Sequence, residues 1–175
     1  DWPRWAAVAA VAVGLATGCS DPDPPGTLPK TSPVPVSSTA SPSLTPSTPA
    51  QQVEAAVRTY YAHLTRASVT NDTRVLKTLT VTACPCYRAV QVIDAGAARG
   101  ERAPDAKWNV DTVRVHDVID TTAAAEVHYR VTGYDVLSSS GKVLAHIDPQ
   151  TSHLDLSLVK TGHGWVITNA FDLNG

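Results

Sequence analysis

At 175 residues the chain is long enough for one domain with a core, and a hydrophobic content of 43% supports one. Its net charge of −2 comes from 14 basic and 16 acidic side chains. The Lys and Arg residues form no run or patch, which excludes the electrostatic footprint of a nucleic-acid binder.

The first element is apolar. "WAAVAAVAVGLA", Trp5 to Ala16, is a dozen residues long, against the ~20 that a membrane-spanning helix needs. With Arg4 before it and small residues after it, the run has the form of a secretory h-region. The segment that follows, "LATGCS", resembles the lipobox of bacterial lipoproteins, with Leu15 four residues before the cysteine where three is usual. The resemblance implies a signal peptide over residues 1–18 and a diacylated Cys19 as the first mature residue. It also implies a chain anchored to the bilayer on the extracytoplasmic face of the cell membrane. Two acyl chains are the number that stable attachment requires.

Residues 20–50 hold nine of the 13 prolines and twelve Ser or Thr, so most of this stretch contributes nothing to a packed core. It reads as a disordered linker joining Cys19 to a domain over 51–175. Proline at this density favours polyproline II at ~3.1 Å per residue, a reach of up to ~90 Å when extended. Ser and Thr beside Pro also suit O-glycosylation.

The domain opens with helices. Val53, Val57, Tyr60 and Leu64 recur at helical spacing, with Ala56, Tyr61 and Ala67 widening the stripe and Glu54 paired with Arg58 outside it. "TND" ends the pattern, and Asn71 or Asp72 is a candidate cap for a short second helix carrying Val75, Leu76 and Leu79. A third helix, about 87–99, shows Val90, Ile93 and Ala97 on one face and stops at Gly100.

Strands follow. "KWNVDTVRVHDVI" alternates, and "TAAAEVHYRVTGYDV" puts Ala123, Ala125, Val127, Tyr129 and Val131 on one face and Glu126, His128 and Arg130 on the other. After a "SSSGK" turn come "VLAHI", then "SHLDLSLVK" with Leu154, Leu156 and Leu158 on one face, then a "TGHG" turn into "WVITNAFDL". Such alternation predicts antiparallel strands with one solvated face. Three helices packed on a curved antiparallel sheet of four to five strands give an α+β class.

This order of elements resembles the cone-shaped nuclear-transport-factor-2-like superfamily with its SnoaL-like members. The aromatic pair in "RTYYAHL" and the closing "GHGWVITNAFDLNG" carry the likeness across residues 51–175. With its anchor, linker and cysteine pair the chain looks most like exported actinobacterial lipoproteins of this fold. The resemblance implies an apolar pocket between helices and sheet, used by some members for ligand or partner binding and by others for acid-base dehydration or isomerisation.

Such an enzyme needs an inward base near an oxyanion donor, and the sequence offers no convincing set. His128 and His153 fall on the polar sides of their strands, and His163 falls in a turn, so all three read as solvated. Adjacent His116 and Asp117 point to opposite faces unless a bulge intervenes. His146 shares a face with Leu144 and reads as partly buried. Tyr60, Tyr61, Tyr129 and Tyr134 are the candidate pocket lining, with plain core packing as the alternative. No spacing of histidine and carboxylate forms a metal motif, and no phosphate loop or nucleophile elbow is present, so no cofactor is expected.

The two readings are therefore a non-catalytic module binding a small apolar ligand or an envelope protein, and a pocket enzyme of the dehydratase or isomerase kind. With Cys19 acylated, Cys84 and Cys86 are the only thiols left, which favours a mutual disulfide at the corner between the second and third helices. A redox role is the alternative, since a three-residue ring is a strained one. Zinc held by two thiolates falls short of the four ligands of a structural site.

Overall fold

The computed structural model describes residues 48–174. The expected signal peptide, the expected lipidation site Cys19 and the expected linker up to residue 47 lie outside the described residues. Among those described, no helix is long and apolar enough to cross a membrane.

Helix α1 spans Pro49–Thr70. It starts two residues earlier than the sequence pattern places it, because Thr48, Pro49 and Gln51 together form a start signal. Thr48 Oγ1 accepts from the Gln51 amide at 3.2 Å, and Gln51 Oε1 accepts from the Thr48 amide at 3.0 Å. This is a capping box, with proline at the helix position whose N–H has no partner anyway. Thr48→Ala is expected to cost about 1 kcal/mol, read by urea denaturation; an unchanged midpoint would contradict the cap. The predicted stripe is the buried face, Val53, Val57, Tyr60, Tyr61, Leu64 and Ala67. Arg58 and Glu54 pair outside it at 2.8 Å.

Asn71, at φ 60°, closes α1 and does not cap the next helix. Its side-chain amide donates to the Glu101 carbonyl at 2.8 Å, tying the helix end to a distant loop. Asp72 accepts instead from the Arg74 amide at 3.1 Å and pairs with the Arg74 guanidinium. Helix α2 is then a single turn, Leu76–Leu79, that buries Leu76 and leaves Val75 exposed. A 3-10 turn, Pro85–Tyr87, runs into α3, Arg88–Ala98. There Gly100 at φ +73° lets its own amide reach the Ala97 carbonyl and the Glu101 amide reach that of Gly96. Those two bonds make a Schellman ending, which a residue with a Cβ would strain.

Among the described residues the strands number six in two sheets, where four or five in one were expected. A four-stranded antiparallel sheet has the order β1 (Trp108–Ile119), β2 (Thr122–Val131), β5 (Gln150–Thr161), β6 (Gly164–Asp172). A separate hairpin pairs β3 (Tyr134–Leu137) with β4 (Val143–Ile147). The run read as one strand through "YRVTGYDV" breaks at Gly133, where the backbone passes so close to Pro149 that a Cβ would sit 3.1 Å from its Cδ. Ala123, Ala125, Val127, Leu156, Leu158, Trp165 and Ile167 line the inner face and pack with the stripe of α1. Helices first, then an antiparallel sheet with one covered face, give the α+β arrangement that the alternation predicts.

Candidate functional site

Three of the four tyrosines predicted to line a pocket come together in the space between α1 and the sheet. Tyr60 and Tyr61 meet edge to face with centroids 5.2 Å apart, and Tyr61 packs on Tyr129 of β2 at 4.6 Å. Burial pushes the phenols of Tyr60 and Tyr61 well above the usual tyrosine range, with Tyr129 nearby adding to it. Tyr134 stands apart on the hairpin, 6.0 Å from the Trp108 ring. A cleft beside Tyr61, lined also by Arg58, Trp108 and Val110, is an open depression and not an enclosed chamber. The polar residues fully buried among those described are Ser68, Thr73 and Thr80.

Tyr60 also reaches the cysteine corner, its hydroxyl donating to the Cys86 carbonyl at 3.2 Å. Cys84 and Cys86 are bonded, with Cα atoms 5.1 Å apart, and the bridge lies at the corner between α2 and α3. Cys84 is buried in the core, and the chain just before it is fastened to β6. There the Val81 amide and the Thr80 hydroxyl both donate to the Ile167 carbonyl, each at 3.2 Å. The bridge is thus a local clamp on a corner that is already pinned. Closing so short a loop contributes only ~1.5 kcal/mol on the chain-entropy estimate. Thiol titration of unreduced protein is expected to find no free group at Cys84 or Cys86, and Cys84→Ala should lower the denaturation midpoint modestly. Two free thiols with unchanged melting would contradict the clamp.

The other face of the sheet departs most from the sequence reading. Strands β2 and β5 pair without a register shift, setting His128 opposite His153 and Glu126 opposite Asp155. All four lie on the face turned away from α1, since Ala125 and Val127 are buried on the near one. The two histidine rings stack with centroids 3.6 Å apart and planes 22° from parallel. His153 Nε2 makes a short contact with Glu126 Oε1, and His128 Nε2 stands 3.6 Å from the same oxygen.

On β1 a bulge between Val115 and Asp117 carries His116 out of the strict alternation. Both His116 and Asp117 are exposed, and the partner His116 finds is Glu126 Oε2, at 3.4 Å, with Arg114 Nη1 at 3.9 Å. The hydrogen bond from His153 holds the Glu126 carboxyl below its ordinary range, and the charges of His153, Arg114 and His116 reinforce that. Beside it, Asp155 Oδ1 is buried without a hydrogen-bond partner.

His128 and His153 are thus not two separately solvated side chains: both meet Glu126, a convergence that no sequence spacing shows. Their separation along the chain hides the pairing, and the register shift between Val136 and Leu137 in the intervening hairpin means that counting back from the "SSSGK" turn does not give it. His146 is exposed, not partly buried. Its Nδ1 sits 2.6 Å from Asp135 Oδ1, a cross-strand pair that raises the histidine pKa. His163 lies in the β5–β6 turn and is exposed, as expected.

No family model matches the sequence, and no curated protein matches it. Solved structures do. The intermembrane-space region of the chloroplast protein ARC6 is 15% identical, covers 73% of this chain and 98% of its own, and has a TM-score of 0.53. A dehydratase candidate of the NTF2-like family from Streptomyces avermitilis is 15% identical, with coverage of 70% and 93% and a TM-score of 0.49. An NTF2-like superfamily protein from Salmonella enterica serovar Typhimurium is 16% identical, with coverage of 70% and 87% and a TM-score of 0.48. At such identities the likeness is one of fold, shared with proteins of different settings, and activity has to be argued from the side chains of this chain.

Proposed function

We propose that the protein is an envelope lipoprotein whose folded domain is a non-catalytic binding module, held outside the cell membrane by a diacylated Cys19 and a proline-rich tether. The observation that carries the non-catalytic half is the packing of the interior. The space between α1 and the sheet, which would be the reaction chamber of a dehydratase or isomerase, is taken up by Tyr60, Tyr61 and Tyr129 with Leu64, Val127, Leu156 and Trp165 around them. A general base must stand within about 3 Å of the proton it removes, and a chamber filled by its own side chains leaves a substrate no such position. The partner, whether an apolar ligand or an envelope protein, then has the exposed surface to engage.

The anchored half rests on the "LATGCS" motif and the composition of residues 20–50. Cys19→Ala, expressed with its leader in a bacterial host, should move the protein from the membrane fraction to the soluble extracytoplasmic fraction. Retention of the variant in the membrane fraction after a high-salt wash would count against the lipid anchor. Photo-crosslinking from residues of the exposed sheet face should give a defined adduct in the envelope, and adducts arising only from interior positions would overturn the surface-binding reading.

A further inference from the structure

Three imidazole nitrogens, from His116, His128 and His153, are aimed at one carboxylate at 3.6 Å or less. Each gap is filled either by the N–H of a neutral imidazole donating to Glu126 or by a cation shared between the nitrogen lone pair and the carboxylate. The same convergence of donor atoms on one carboxylate therefore suits a single metal ion.

The spacing fits that ion. The donor atoms of Glu126, His128 and His153 all lie within 4.8 Å of one another. Tetrahedral coordination with 2.0–2.1 Å bonds places neighbouring ligand atoms about 3.3 Å apart, so closing onto an ion asks for side-chain movements of about 1 Å, within the freedom of half-exposed groups. The backbone supplies the rigidity. His128 and His153 are directly opposed on two paired strands of an unshifted ladder, and Glu126 is one same-face step from His128. Two imidazoles and a carboxylate are borderline ligands, which select Zn²⁺, Cu²⁺ or Ni²⁺ over Ca²⁺ and Mg²⁺.

We propose that Glu126, His128 and His153 bind one divalent transition-metal ion, Zn²⁺ in the first instance, on the open face of the sheet. His116, 3.4 Å from the other oxygen of Glu126, is placed to be the fourth ligand. The site stands on the outer face and needs neither the lipid anchor nor the filled interior to be correct.

The test is isothermal titration of the purified, metal-stripped chain with ZnCl₂ at neutral pH, with MgCl₂ as the contrast. The expected result is one Zn²⁺ per chain and no Mg²⁺ heat, with affinity falling at least about 100-fold in His128→Gln/His153→Gln and about 10-fold to 100-fold in His116→Gln. His63→Gln and His163→Gln should leave binding unchanged. As a second readout, Co²⁺ should give the visible absorption of a low-coordinate nitrogen–oxygen site in the parent and not in Glu126→Gln, whose side chain keeps the shape of the original and so preserves the fold. No Zn²⁺ binding by the parent, or equal binding by the His128/His153 variant with its circular dichroism intact, would overturn the proposal.

Discussion

Leu156→Ala is expected to remove about 3 kcal/mol of stability and lower the melting temperature by roughly 10 °C or more. Leu156 is 1% exposed near the middle of β5, between Ala125 of β2 and Ala170 of β6. Its small cross-strand neighbours make it the side chain that fills that layer, and alanine in its place leaves a cavity that three alanines in a row cannot collapse into. Phe171→Ala provides the contrast. Phe171 is a larger apolar residue but 54% exposed, and its truncation should stay within about 0.5 kcal/mol. Thermal melts of the two variants side by side settle whether the inner face of the sheet is the one that the alternation indicates. Equal losses in both would contradict it.

Tyr61→Ala is expected to cost about 3 to 4 kcal/mol, whereas Tyr61→Phe should stay within about 1 kcal/mol. The ring of Tyr61 lies between Tyr60 and Tyr129 and bridges α1 to β2, so what matters at this position is the ring and not the hydroxyl. This contrast separates a core from a pocket. A tyrosine lining an open ligand chamber stabilises little and can be truncated cheaply, whereas one that closes the gap between helix and sheet cannot. If Tyr61→Ala melts like the parent, the interior is a chamber, and the pocket-enzyme reading returns.

The parts of the fold legible in the sequence are those set by local pattern. The stripe Val53, Val57, Tyr60, Leu64 and the alternation of Ala123, Ala125, Val127 each repeat at the period of their element and bury the predicted face. The pairing of Cys84 with Cys86 was legible from the count of cysteines and their spacing. The start of α1 was missed, though its capping box was in plain view, because Thr48 and Pro49 share the composition of the linker that precedes them. The split into two sheets was missed because it depends on a contact between Gly133 and Pro149, 16 residues apart, which no periodicity announces.

The cluster at Glu126 was missed for a related reason. His128 and His153 each fall on the polar side of their own strand, and taken one strand at a time that position implies solvent. Only the register of β2 with β5, and the bulge at His116, turn three separate polar positions into one site. Pairing is long-range information, and a polar face becomes a candidate site only when two strands present their ligands at the same level.

The lipid anchor that displays the folded binding module is tested most directly by the intact mass of the protein extracted from bacterial membranes in detergent. The predicted species begins at Cys19, carries the added mass of a diacylglyceryl group, and on ester hydrolysis loses its two acyl chains as fatty acids while the glyceryl group stays on the sulfur as a thioether. A chain that begins elsewhere, or begins at Cys19 with an unmodified thiol, would contradict it.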